Sequence, residues 1–151
     1  MTDTPNPLHD SAFMQAFFDL VIPPSKDGKR PGAGSLGLAT DLANTLAKDD
    51  RSSPVVAAGL LAVREAATTR DPGGFTSLSP QARRETVETV LAGHPRLILG
   101  VARHLYLIYY QHPQVLAAIG EPPRPPFPEG YDVQPTDPDL LQALEARRQG
   151  Q

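Results

Sequence analysis

Four histidines, His9, His94, His104 and His112, are the side chains in this sequence best suited to hold a metal ion or shuttle protons. The last two stand eight residues apart. On one helix that spacing is about 12 Å, too far for both to reach a single ion. No H-E-x-x-H and no Glu-x-x-His pair occurs. His94 and His112 each precede a proline, a position suited to capping or chain reversal, and His104 is expected to be satisfied or solvent-facing. The carboxylates are equally unpromising as acid–base pairs. Asp49 and Asp50 sit before Arg51 at a helix end, where solvent is their expected surrounding, and Glu85 and Glu88 lie at i,i+3 on a polar surface beside Arg84. Ser35, Ser53 and Ser79 read as helix caps rather than nucleophiles, since none occupies a strand–turn–helix elbow. Gly28, Gly32, Gly34 and Gly37 fit neither the phosphate loop nor the dinucleotide fingerprint. With no cysteine in the chain, thiol catalysis, disulfides and thiolate-held clusters are excluded. No catalytic, cofactor-binding or metal residue is assigned.

What remains is material suited to binding another surface. Arg124 through Tyr131 places Arg, Phe and Tyr on a backbone stiffened by proline. Such segments lose little entropy on docking, and aromatic residues with arginine are frequent interface anchors. An internal strap over the protein's own helices explains the segment equally well. Tyr106, Tyr109 and Tyr110 cannot all be buried by one helix face, so at least one is expected to look outward.

The elements that would position these residues are helical throughout. Phe13, Met14, Phe17, Phe18, Val21 and Ile22 form an apolar stripe on a 3.6-residue period, predicting a helix over 11–22 that Asp10 or Ser11 caps and Pro23-Pro24 ends. A second helix is expected over 36–48 behind Ser35, with Leu36, Ala39, Leu42, Ala43 and Leu46 inward. Ser53-Pro54 opens a third, presenting Val56, Gly59, Leu60, Val63 and Ala67, where Gly59 suggests close helix approach. Asp71-Pro72-Gly73-Gly74 is a turn. Ser79-Pro80 starts a fourth helix over 80–92 with Val87, Val90 and Leu91 as its buried edge. His94-Pro95 opens a fifth over 95–111, the most apolar and the expected centre of the fold. Pro113 starts a short sixth carrying Val115, Leu116 and Ile119, and Gly120 stops it. An extended proline-rich stretch and an amphipathic tail helix from Asp137-Pro138, with Leu140, Leu141 and Leu144 on one side, complete the chain. The fold class expected is all-α: a compact bundle of about five or six helices with a proline-rich C-terminal strap and a short tail helix. Residues 1–10 are assigned to a flexible N-terminus, 11–132 to the helical domain with its strap, and 133–151 to the tail.

Composition agrees with a single domain: 151 residues, 40% hydrophobic, seventeen prolines and twelve glycines. The formal charge is −3. Residues 51–112 are mildly basic, with seven basic against four acidic groups, while both flanks are acidic. That is far from the footprint of a nucleic-acid binder. The most apolar run, 97–110, is interrupted by Arg103 and His104 and is too short to span a bilayer, so no membrane insertion is expected. The N-terminus has neither a basic region nor an apolar run. The expected location is cytoplasmic as the chain is written, and periplasmic if a leader has been removed.

Three blocks carry a likeness to a known family. Val21-Ile22-Pro23 followed by Pro31-Gly32-Ala33 is the first, and Gly59-Leu60 with Phe75 and Leu78 is a looser second. The third runs Tyr109-Tyr110, His112-Pro113, Val115, Ile119-Gly120 and then Pro126-Phe127-Pro128-Glu129-Gly130-Tyr131. Together, over roughly 11–132, they resemble the gluconate 2-dehydrogenase subunit 3 family, the small subunit of dehydrogenases of the glucose–methanol–choline type. The resemblance implies a chain without a cofactor of its own, bound to a large FAD-containing subunit that oxidises a sugar or alcohol, often with a cytochrome as electron acceptor. It also implies a twin-arginine export signal in many members. Arg83-Arg84, internal and helical, does not supply one. The positions the likeness carries over as interface or strap candidates are Pro23, Pro31, Gly32, Ala33, Tyr109, Tyr110, Gly120, Phe127, Gly130 and Tyr131, to which Arg124 is added from its setting. Two rival readings are a stand-alone helical adaptor and a small enzyme with an unrecognised pocket between helices.

Overall fold

The computed structural model describes residues 6–123 and 137–149, and among these every regular element is helical. The α-helices are α1 (Ser11–Val21), α2 (Ala39–Leu46), α3 (Ser52–Arg70), α4 (Pro80–Leu91), α5 (Leu97–Tyr109), α6 (Pro113–Ala118) and α7 (Pro138–Gln149). Short 3-10 turns occupy Pro7–His9 and Ala33–Leu36. The all-α bundle expected from the apolar periodicity is the fold observed. The proline-rich stretch from Arg124 lies outside the described residues, as do the side chains of Leu141 and Leu144. Leu140, on α7, is exposed.

Helix α1 forms where its stripe predicts. The Asp10 carboxylate accepts the Phe13 amide at 3.0 Å, satisfying one of the N–H groups that a helix start leaves without a partner. Phe13, Met14, Phe17 and Phe18 are buried, and Phe13 and Phe17 meet Phe75, which arrives from the α3–α4 turn. Arg64 of α3 pairs with Asp10 at 3.0 Å and lies over the Phe13 ring, tying α3 to the start of α1.

Helices α3 and α5 pack closely. Gly59 allows it, since a Cβ there would fall 2.8 Å from Leu97 Cδ1 and 3.0 Å from Leu97 Cβ. Val56, Leu60 and Val63 from α3 and Leu97, Val101 and Leu105 from α5 are fully buried. Helix α4 packs on α3, and Arg70 crosses between them to Glu85 and the Thr86 hydroxyl, both at 2.9 Å. The α3–α4 turn is held by Asp71, which accepts the Gly73 amide and the Ser77 hydroxyl, and by Arg83, which donates to the carbonyls of Phe75 and Thr76. Ser79 caps α4 as its Ser-Pro signature predicts.

Several local expectations need correction. The second helix does not begin behind Ser35. Gly37 takes a left-handed conformation (φ +68°) that separates a 3-10 turn from α2. Ser35 accordingly caps nothing and donates its hydroxyl to the Gly32 carbonyl. Leu38, between the two segments, is a core residue that the pattern missed. Ser53 is not the cap of α3, which starts one residue earlier with Asp49 accepting the amides of Arg51 and Ser52. Helix α5 spans Leu97–Tyr109 rather than 95–111. Ile119 is exposed rather than inward, because α6 ends at Ala118 and Gly120 (φ +83°) turns the chain away.

Candidate partner interface

Two clusters gather the residues singled out by their chemistry. The first joins Asp49, Ser52 and His104. Asp49 lies against α5, where its Oδ2 is 3.1 Å from His104 Nε2, and His104 is buried. The expectation of a solvated Asp49 fails because its carboxylate is held at the start of α3. The Ser52 hydroxyl, the Ser52 and Arg51 amides and His104 together lower its pKa from 3.8 to about 2. Serine, histidine and aspartate thus come together, but in the wrong order for nucleophilic catalysis. The carboxylate sits between the other two, whereas a triad needs the imidazole between nucleophile and acid. The arrangement is a helix cap that also ties α3 to α5.

This lowered pKa sets a pH dependence. The carboxylate is charged more readily in the folded chain than in the unfolded one, so its contribution is complete above pH 3.8 and is lost as pH falls toward about 2. Asparagine can still cap α3 but cannot ionise. Denaturation midpoints of Asp49→Asn should therefore vary less than wild type across that window, the two curves separating within it and keeping a constant gap above it.

The second cluster brings the first and third family-like blocks together. The Tyr109 hydroxyl donates to the Pro31 carbonyl at 2.7 Å, across 78 residues of sequence. Ala33 is fully buried and its amide bonds the Ile22 carbonyl, while the Gly34 amide bonds Asp19 at 2.9 Å. Pro31, Gly32, Ala33 and Tyr109 thus form a clasp between the 23–34 loop, α1 and α5. Pro23 and Gly120 are exposed and stand outside the clasp. Arg124, Phe127, Gly130 and Tyr131 lie outside the described residues. His112 caps α6 by accepting the Gln114 amide. Among the described residues no group of three or more His, Cys, Asp or Glu could hold a metal ion, and no helix is long and apolar enough to cross a membrane.

The feature least expected of an isolated domain is the outer face of α5. Leu99 is 72% exposed, Leu107 57%, Tyr106 44% and Tyr110 40%. Tyr106 and Tyr110 stack at 6.1 Å between ring centroids, and Tyr110 meets the edge of buried Tyr109 at 5.1 Å. One side of this face borders a hollow of about 300 Å³ between α1, α4 and α5, lined by Val21, Arg84, Glu88, Ile98 and Tyr106 among others. The other borders a groove between α3 and α5. Periodicity indicated that at least one of the tyrosines must look outward. Two do, and Leu99 and Leu107 join them on a helix otherwise central to the core. Several large apolar side chains exposed on one helix beside charged residues are characteristic of surfaces that meet another protein.

Comparison with known proteins agrees in kind. Neither the curated proteins nor the solved structures returned a match. The model of the family described as gluconate 2-dehydrogenase subunit 3 matches residues 8–122, which include both clusters and the whole of α5. The chain therefore belongs to the gluconate 2-dehydrogenase subunit 3 family and is an accessory, non-catalytic subunit.

Proposed function

We propose that this chain is the small subunit that binds and stabilises a large FAD-dependent sugar or alcohol dehydrogenase subunit of the glucose–methanol–choline type. The observation that carries the reading is family membership over 8–122 combined with the apolar outer face of α5. FAD and the chemistry belong to the large subunit, and a cytochrome receives the electrons. A partner that binds the native flavoprotein and not its unfolded chain stabilises it by mass action, by about 2.7 kcal/mol when present at a hundred times its Kd. Tyr110, on the exposed face, is the carried-over position best placed for contact. Arg124, Phe127, Gly130 and Tyr131 are proposed as further contacts or as a strap, on their sequence alone.

Co-expression tests the proposal. The isolated chain should be colourless and without redox activity. Expressed with a large flavin oxidoreductase subunit of the glucose–methanol–choline type from the same genome, it should co-purify with a yellow protein or raise that protein's yield. Neither a complex nor improved recovery would end the subunit reading. A chromophore or redox activity in the lone chain would favour a small enzyme instead.

A further inference from the structure

Arg51, Arg96 and Arg103 converge on the groove between α3 and α5, an open hollow of about 420 Å³. Its floor includes Val55 and Gly100, and Leu99 stands on its edge, 72% exposed. Gly100 is there because α3 lies immediately behind it: a Cβ at that position would fall 2.8 Å from Val56 Cγ2. All three arginines are exposed, and none is paired with a carboxylate among the described residues. Three other arginines differ. Arg64 pairs with Asp10, Arg70 with Glu85, and Arg83 donates to two carbonyls. Three guanidinium groups around one apolar groove give it a positive rim, and their planar forks match carboxylates.

We infer that this groove is the seat for an acidic, amphipathic segment of the large subunit, its carboxylates on Arg51, Arg96 and Arg103 and its apolar side chains against Leu99 and Val55. The inference rests on the small-subunit reading and adds to it where and by what chemistry the partner is gripped. An acidic protein segment is favoured over a purely ionic ligand because the charges frame an apolar floor. Arginine is among the residues enriched as interface anchors, and complementary charge adds speed and selectivity to the encounter.

The test uses the full chain and the FAD-loaded large subunit used in the co-expression experiment, with affinity measured at low and high salt. The double variant Arg96→Glu/Arg103→Glu should bind at least about tenfold more weakly at low salt, with a shallower salt dependence than wild type. Leu99→Ala should also weaken binding, by roughly tenfold, while its circular dichroism and melting temperature hold, because alanine suits an exposed helical position. Lys26→Glu/Lys29→Glu changes the charge equally on the distant 23–34 loop and should bind as wild type does. If wild type itself forms no complex, the small-subunit reading falls. If wild type binds and both groove variants bind equally well, the reading stands and the groove assignment is wrong. Three other results would also overturn the assignment. One is a wild-type dimer that the arginine variants disperse, which makes a second copy the occupant. Another is a loss of melting temperature in those variants without loss of binding, which makes the chain's own acidic C-terminal part the occupant. The third is arginine-dependent binding of the lone chain to phosphatidylglycerol vesicles, which points to a membrane surface.

Discussion

Tyr109→Ala is expected to destabilise the chain by about 3–5 kcal/mol, the range for emptying a fully buried aromatic site. Tyr109 is completely inaccessible and heads the fully buried side chains in size. Its ring supports Tyr110 edge-on, and its hydroxyl anchors the 23–34 loop through Pro31. Truncation opens a cavity in α5 and frees that loop together. Tyr109→Phe isolates the second part: the ring stays, the Pro31 carbonyl loses its donor, and the cost should fall to about 1 kcal/mol. Chemical denaturation followed by circular dichroism distinguishes the two. A phenylalanine variant as unstable as the alanine variant would show that the hydroxyl, and not the ring, holds the structure. The phenol also supplies an alkaline signature. Burial pushes its pKa above the ordinary 10.0, so the folded state favours the protonated form. The resulting stability is present below pH 10 and is lost as pH rises through the folded value. Tyr109→Phe should lack that part of the alkaline loss.

Gly34→Ala is the second large effect, about 2–3 kcal/mol from overpacking alone. A Cβ at Gly34 would run into the Gln15 main-chain carbonyl and lie 2.7 Å from Asp19 Cγ and Oδ2. The Asp19 side chain can swing aside, but the α1 backbone cannot, because Phe13, Phe17 and Phe18 fix its opposite face in the core. Displacing Asp19 also removes its bond from the Gly34 amide. Gly32 differs in what confronts it: a Cβ there meets the Asp19 Oδ1 side-chain atom most closely, with Pro24 Cδ at 2.8 Å and the Pro24 main-chain nitrogen at 3.0 Å. Adding Asp19→Ala should therefore recover part of the stability lost in Gly32→Ala and little of that lost in Gly34→Ala. Equal recovery in both would mean that α1 yields more readily than its packing suggests. Thermal melts of the four variants decide it.

These contacts give a physical sense to residues that sequence likeness alone had marked. In the described residues, Pro31, Gly32, Ala33 and Tyr109 contact one another or α1, and the small residues stand where the loop and α1 leave no room for a side chain. Partner recognition, on the proposed reading, draws on Tyr110 from the motifs and on residues that the motifs do not contain: Leu99, Leu107 and the groove arginines.

The division between what was legible in the sequence and what was not follows the range of each interaction. The stripe of α1, the inward set Val56, Gly59, Leu60, Val63 and Ala67, the Ser79-Pro80 start of α4 and the Gly120 stop are set by neighbours within a turn or two, so spacing and residue type determine them. The start of α2 was misread because a glycine can continue a helix or end it in a left-handed turn; Gly37 does the latter, at the end of the Ala33–Leu36 turn that packs on α1. Asp49 was misread because its locally best surrounding is water, and its long-range partner, the buried His104, is 55 residues away. The Tyr109 to Pro31 bond spans 78 residues. The groove exists only because α3 and α5 pack closely enough at Gly59 and Gly100 to bring Arg51 beside Arg96 and Arg103. Composition and periodicity determined an all-α chain without an assignable catalytic site. Which aromatic is buried, which leucines face solvent and which arginines share a surface were decided by helix packing, because each depends on groups far apart in sequence meeting within a few ångströms.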